Sequence, residues 1–87
     1  MPEISRFYGI IIKMFFLDHS PPHFHAEYGE FKAQIGIKSG EIIKGELPRH
    51  ALRLVQDWTA IHQQELEDNY LASQQSGGII KKINPLK

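Results

Sequence analysis

The segment Asp18-His19-Ser20-Pro21-Pro22-His23-Phe24-His25-Ala26-Glu27-Tyr28 carries three of the chain's five histidines within seven residues. Imidazole binds transition metals through either ring nitrogen and exchanges protons near neutral pH. Polar and apolar residues alternate from His23 to Tyr28, and successive side chains of a strand point to opposite faces. His23, His25 and Glu27 are therefore predicted to line one face, with Phe24, Ala26 and Tyr28 on the other. Same-face neighbours on a strand stand about 7 Å apart, a gap that two imidazoles can close by leaning together over one ion. His19, in a loop stiffened by Pro21 and Pro22, is the third candidate ligand, and Asp18 offers a carboxylate in its place. Such a set suits zinc, nickel, cobalt or iron. Without a metal, His23 and His25 could act as acid and base, with Lys13 and Lys32 holding a phosphate on the same face. A purely structural role stands beside these, in which the histidines bond to Gln34 and to loop carbonyls. Neither a nucleophile–base pair, nor a P-loop, nor a dinucleotide fingerprint is present.

The frame around this segment is small. Eighty-seven residues make a single domain, 1–87, near the lower limit for a self-sufficient core. With no cysteine, neither a disulfide nor a thiolate site can add stability. Ten basic and ten acidic side chains cancel, which disfavours nucleic acid as a partner, although a local patch remains open. Neutrality is also poor for staying monomeric, so a homo-oligomer is a further expectation. The apolar run 9–17 is interrupted by Lys13 and falls well short of the roughly 20 residues a bilayer requires. No signal-peptide pattern opens the chain, and a cytoplasmic location away from membranes is the expectation.

The elements that must position the histidines can be read in outline. Strands are predicted at Ile10–Leu17, His23–Tyr28, Phe31–Lys38 and Glu41–Gly45. Gly29-Glu30 suits a two-residue type II′ turn, and Ser39-Gly40 a slightly longer one. A loop over 18–22 places Leu17 opposite His23, and the Gly29-Glu30 turn places Tyr28 opposite Phe31. Three apolar rows follow: Phe16/Phe24/Ile35, Met14/Ala26/Ala33 and Ile12/Tyr28/Phe31. The other face carries Lys13/Glu27/Lys32, Phe15/His25/Gln34 and Leu17/His23/Gly36. One long helix is predicted from Leu47-Pro48 to about residues 72–75, stopping at Gly77-Gly78. Its apolar stripe is Leu47, Ala51, Leu54, Val55, Trp58, Ile61, His62 and Leu66, and it should lie on the three apolar rows. His62 reads as a core histidine with one hydrogen bond. The tail Ile79–Ile83 could add a short edge strand. The expected fold is thus α+β, an antiparallel sheet of about four strands with one C-terminal helix on one face.

The chain also resembles a known family. Pro2-Glu3-Ile4-Ser5-Arg6-Phe7, Gly9-Ile10, Asp18-His19-x-Pro21-Pro22-His23-Phe24-His25 and Glu27-Tyr28 are similar to the small bacterial family catalogued as domain of unknown function 4160. The likeness continues through Gly45-Glu46-Leu47-Pro48, Ala51-Leu52-Arg53-Leu54-Val55, Trp58, His62 and Glu65-Leu66 to Lys82-Ile83-x-Pro85-Leu86. The resemblance implies a gene neighbour, a second small protein paired with this one in a toxin–antitoxin-like arrangement. It implies no catalytic residues.

Two functions compete at this level, and the first is favoured by an exposed apolar strip and by the lack of a complete catalytic set. One is a protein-interaction module binding a small partner encoded nearby. Ile11, Phe15 and Leu17, with Gln34 beside them, would offer the surface, because one helix cannot cover both faces of a sheet. The other is a small hydrolase, such as a ribonuclease, that uses His19, His23 and His25 with or without a metal.

Overall fold

The computed structural model describes residues 3–18 and 21–87. Five strands form one antiparallel meander in the order β1-β2-β3-β4-β5: β1 Glu3–Phe7, β2 Ile10–Lys13, β3 His23–Tyr28, β4 Phe31–Gly36 and β5 Ile42–Gly45. Helices α1 (Arg49–Ile61) and α2 (Gln63–Ser73) follow. The expected α+β arrangement is present, with a strand added at the front and the helix divided in two.

The β3–β4 hairpin has the register that its alternation and its turn dictate. His23 faces Gly36, Phe24 faces Ile35, His25 faces Gln34, Ala26 faces Ala33 and Glu27 faces Lys32. Gly29 takes φ +56, the left-handed geometry a type II′ turn needs at its first central residue. The added strand β1 turns into β2 through Tyr8-Gly9, both at positive φ (49 and 80), as in a type I′ turn. A bulge between Glu3 and Ser5 interrupts its alternation.

β2 departs from expectation. It ends at Lys13, and Ile12 lies opposite Ala26 where Tyr28 was predicted, a two-residue shift that preserves the faces. Ile10, Ile12 and Met14 remain in the core, while Phe16 (52% exposed) leaves it and Leu17 (67% exposed), expected opposite His23 on the other face, projects into solvent. The physical reason is that the chain turns off the sheet. Leu17 adopts φ +57 and its N–H donates to the Ser73 carbonyl at the end of α2 (2.8 Å).

The core lies between the sheet and the helices. Ala51, Val55, Trp58 and Leu66 of the predicted stripe are buried. Trp58 packs on Phe7 (centroids 5.5 Å apart) and edge-on to Phe24 (5.7 Å), contacts worth about 0.5–1.5 kcal/mol each beyond burial. The predicted single helix breaks at His62 (φ -113, ψ 30), whose N–H is shared between the Trp58 and Thr59 carbonyls. The break turns Ile61 out to solvent and brings Asn69, Tyr70 and Ser73 inward. Gln63, just past it, donates to the Ile37 carbonyl on the sheet side. His62 itself is half-buried against Trp58 and bonded to Glu65.

The tail does not form the expected edge strand. Residues 79–87 carry no regular structure and dock by specific bonds. The indole N–H of Trp58 donates to the Asn84 carbonyl (2.8 Å), the Asn69 amide pairs both ways with the Lys81 backbone, and the Ile83 N–H donates to the Ile4 carbonyl. A buried indole N–H or amide left unpaired would cost about 1–3 kcal/mol, which holds the tail on this side. Both helices and the buried Ile83 pack with the core, whereas His25 and Gln34 are half-buried and Lys44 is exposed on the other face of the sheet.

Candidate metal centre

Three side chains converge where β3 begins. His23 and His25 stand two apart on one face of β3, and Asp18 comes from the loop that leaves β2. Asp18 Oδ2 lies 2.8 Å from His25 Nε2 and 3.1 Å from His23 Nε2, so one carboxylate oxygen meets both rings. One ligand atom from each residue falls within 4.8 Å of the others. His19 lies outside the described residues, and so does any part it plays.

The bond on the far side of His23 fixes its tautomer. Its Nδ1 is 2.7 Å from the Pro21 carbonyl, an oxygen that can only accept, so Nδ1 carries the proton. In a neutral imidazole the other nitrogen is then a bare lone pair. Here it faces another acceptor, the Asp18 carboxylate. Two acceptors at 3.1 Å repel unless a cation stands between them, either a second proton on His23 or a metal ion. A backbone carbonyl that fixes Nδ1–H and aims Nε2 inward is the usual support of a metal-binding histidine. Two ligands each about 2.0–2.1 Å from a tetrahedral ion stand roughly 3.3–3.4 Å apart, so the Asp18–histidine separations of 2.8 and 3.1 Å would open by a few tenths of an ångström to admit one.

Each candidate ligand is held in place. His23 is 5% exposed and lies beside the Tyr70 ring, with centroids 6.4 Å apart. Phe15 meets His25 edge-on (4.7 Å, 87°), so the contact expected from a strand pairing is made from the loop instead. The Asp18 carbonyl accepts from Gln74 Nε2 (2.8 Å) and from the Tyr70 hydroxyl (3.3 Å). Together with Leu17 N–H to Ser73, these bonds clamp the Asp18 loop to the end of α2. The His25 hydrogen bond holds the Asp18 carboxyl below its ordinary value, helped by His23 and opposed by burial. Burial raises the Tyr70 hydroxyl, and the Asp18 charge adds to that.

The other predicted site residues are placed as follows. Lys13 forms an ion pair with Glu27 (3.1 Å), although its register partner is His25. Lys32 lies opposite Glu27, exposed, and Gln34 lies opposite His25. Ile11 is half-buried on β2, and Phe15 and Leu17 are exposed on the loop after it. Tyr70, Gln74 and the Pro21 carbonyl were not singled out from sequence. Tyr70 and Ser73 continue the helical spacing from Leu66 and could have been found by extending the stripe. The Pro21 carbonyl leaves no signal in residue types.

The model of one family, described as Domain of unknown function (DUF4160), matches residues 9–70. The chain belongs to this family. The matched stretch runs from the turn before β2 to Tyr70, and so takes in all three converging residues and one of the two that clamp Asp18. No curated protein and no solved structure matches the chain. Among the described residues, no helix is long and apolar enough to cross a membrane.

Proposed function

We propose that this chain is a small divalent-metal domain, with Asp18, His23 and His25 as ligands and hydrolysis as its chemistry. The observation that supports this reading is the His23 imidazole, whose Nδ1 is committed to the Pro21 carbonyl while Nε2 faces a carboxylate shared with His25. Two histidines and one carboxylate on one side of an ion leave other coordination positions free for water and substrate. An ion held this way would supply Lewis acidity and an acidified water. His25 borders the open sheet face, and His23 is the buried anchor. Zinc is the first ion to test, followed by cobalt, nickel and iron.

Elemental analysis of tag-free protein, reconstituted with each metal and dialysed, tests the reading. One tightly held ion per chain is expected in the wild type and none in the His23→Ala/His25→Ala variant. Equal loading of the two proteins would end it.

A second reading has its own support. Phe16 and Leu17 are largely exposed on a loop clamped to α2, and ordered apolar side chains in water suit a protein contact. On this reading the chain is also the interaction half of a cytoplasmic two-gene, toxin–antitoxin-like pair. Co-expression with the adjacent gene's product tests it, with loss of the complex in Leu17→Glu as the expected result.

A further inference from the structure

Beside the three converging residues, the open face of the sheet holds a shallow depression of ≈ 260 Å³ lined by His25, Lys32, Ala33, Gln34, Lys44 and Gly45. Its cations reach this place through an irregularity in the sheet. Ile35 pairs with Ile42, but Gln34 pairs with Lys44 and Ala33 with Gly45, so the register slips by one residue. Without the slip, Gln34 would face Ile43, and Lys44 would face Ala33, whose side chain belongs to the core. The bulge thus moves Lys44 from the buried face to the face of His25. A single row then runs across four strands: Lys13, His25, Gln34, Lys44. Gly45 keeps the crossing tight, since a Cβ there would stand 2.2 Å from the Lys32 carbonyl.

The charges around the depression are uneven. Lys13 is neutralised by Glu27. Lys32 and Lys44 are exposed and take part in no ion pair among the described residues. Two free ammonium groups and the Gln34 amide therefore border a hollow that His25 joins to the Asp18 oxygen. Its volume lies below the roughly 300–1,000 Å³ of pockets that enclose a whole small molecule, so it suits one charged group of a larger ligand. A phosphoryl group, with several acceptor oxygens, can engage two lysines, an amide and a neighbouring metal together.

We infer that Lys32, Lys44 and Gln34 form a phosphoryl-binding subsite next to the metal ligands, making phosphate esters the substrate class. The inference rests on the metal-centre reading for the word substrate, but the subsite stands on its own geometry. It replaces Lys13 with Lys44 as the partner of Lys32. Both lysines are solvent-exposed, so their removal should leave the fold and the metal affinity unchanged.

The test titrates two probes, adenosine monophosphate and a short 2′-O-methyl oligoribonucleotide, into metal-free and zinc-loaded protein, with amide shifts and affinity as readouts. Shifts at Lys32, Gln34 and Lys44 are expected. The Lys32→Ala/Lys44→Ala variant should bind roughly tenfold or more weakly, and for the oligonucleotide its log–log salt slope should fall by about 0.7, the value for one phosphate on a single strand. Binding of the oligonucleotide assigns the diester, and binding of the monophosphate alone assigns a terminal phosphate. Binding of neither probe, or equal binding by the variant, overturns the inference. Failure of zinc to bind, with lysine-dependent phosphate binding intact in metal-free protein, overturns only the metal reading.

Discussion

Zinc should raise the melting temperature of the wild-type protein, and His25→Ala should abolish the rise while leaving the metal-free protein folded. His25 suits this experiment better than His23. His23 is 5% exposed and its Nδ1–H is committed to the Pro21 carbonyl, so its loss would open a void and strand that carbonyl. His25 is only partly buried, and its one hydrogen bond goes to Asp18. That charge-assisted bond would be worth about 1.5–3 kcal/mol if buried. Asp18 is about one-third exposed, so screening brings the cost of His25→Ala to roughly 1–2 kcal/mol. An ion that binds only the folded chain, present at about a hundred times its Kd, adds about 2.7 kcal/mol. For a domain of this size 1 kcal/mol corresponds to about 4–8 °C, so the wild type should gain roughly 10–20 °C with zinc. His25→Ala should start roughly 4–16 °C lower and gain almost nothing. Circular dichroism melts of chelator-treated protein with and without zinc measure both quantities. A variant that gains as much as the wild type would refute the ligand assignment.

Three further outcomes follow from the same contacts. Tyr70→Phe and Gln74→Ala each remove a bond to the Asp18 carbonyl and should weaken zinc binding about 10–100-fold, the usual cost of a lost supporting contact, as calorimetry would read. In metal-free protein the depressed Asp18 carboxyl contributes stability that is present above its ordinary value of 3.8 and is lost as pH falls through the folded value. The melting-temperature gap between wild type and Asp18→Asn should therefore shrink below about pH 4, and a gap that widens on acidification would contradict the shift's direction. Gly45→Ala puts a Cβ into the Lys32 carbonyl at φ +86, so it should destabilise by more than about 2 kcal/mol in urea unfolding.

How much of this was legible depended on whether the cause was local. The β3–β4 register followed from alternation at His23–Tyr28 and from Gly29, both readable without tertiary knowledge. The face shared by His23 and His25 came from the same pattern, whereas Asp18 entered only as an alternative to His19 from the adjoining loop. The end of β2 was illegible because Phe15-Phe16-Leu17 prolongs the apolar run, while the event that ends the strand is a bond to Ser73, more than fifty residues away. The break at His62 has no proline or glycine to announce it and is accompanied by Gln63 reaching the Ile37 carbonyl. The strand β1 escaped notice because its bulge spoils the alternation and its turn places a tyrosine at positive φ. The slip that carries Lys44 across the sheet is a pairing property, invisible in either strand alone.

The central claim is that two imidazoles and one carboxylate share an ion through the Nε2 atoms of His23 and His25. Nitrogen-15 spectra of histidine-labelled protein, recorded as zinc is added, test it most directly. Zinc should move the Nε2 resonances of His23 and His25 to metal-bound positions, leave the proton on His23 Nδ1, and leave His50 and His62 unmoved. Spectra in which His23 and His25 do not respond, or in which Nδ1 of His23 loses its proton to the metal, would contradict the account.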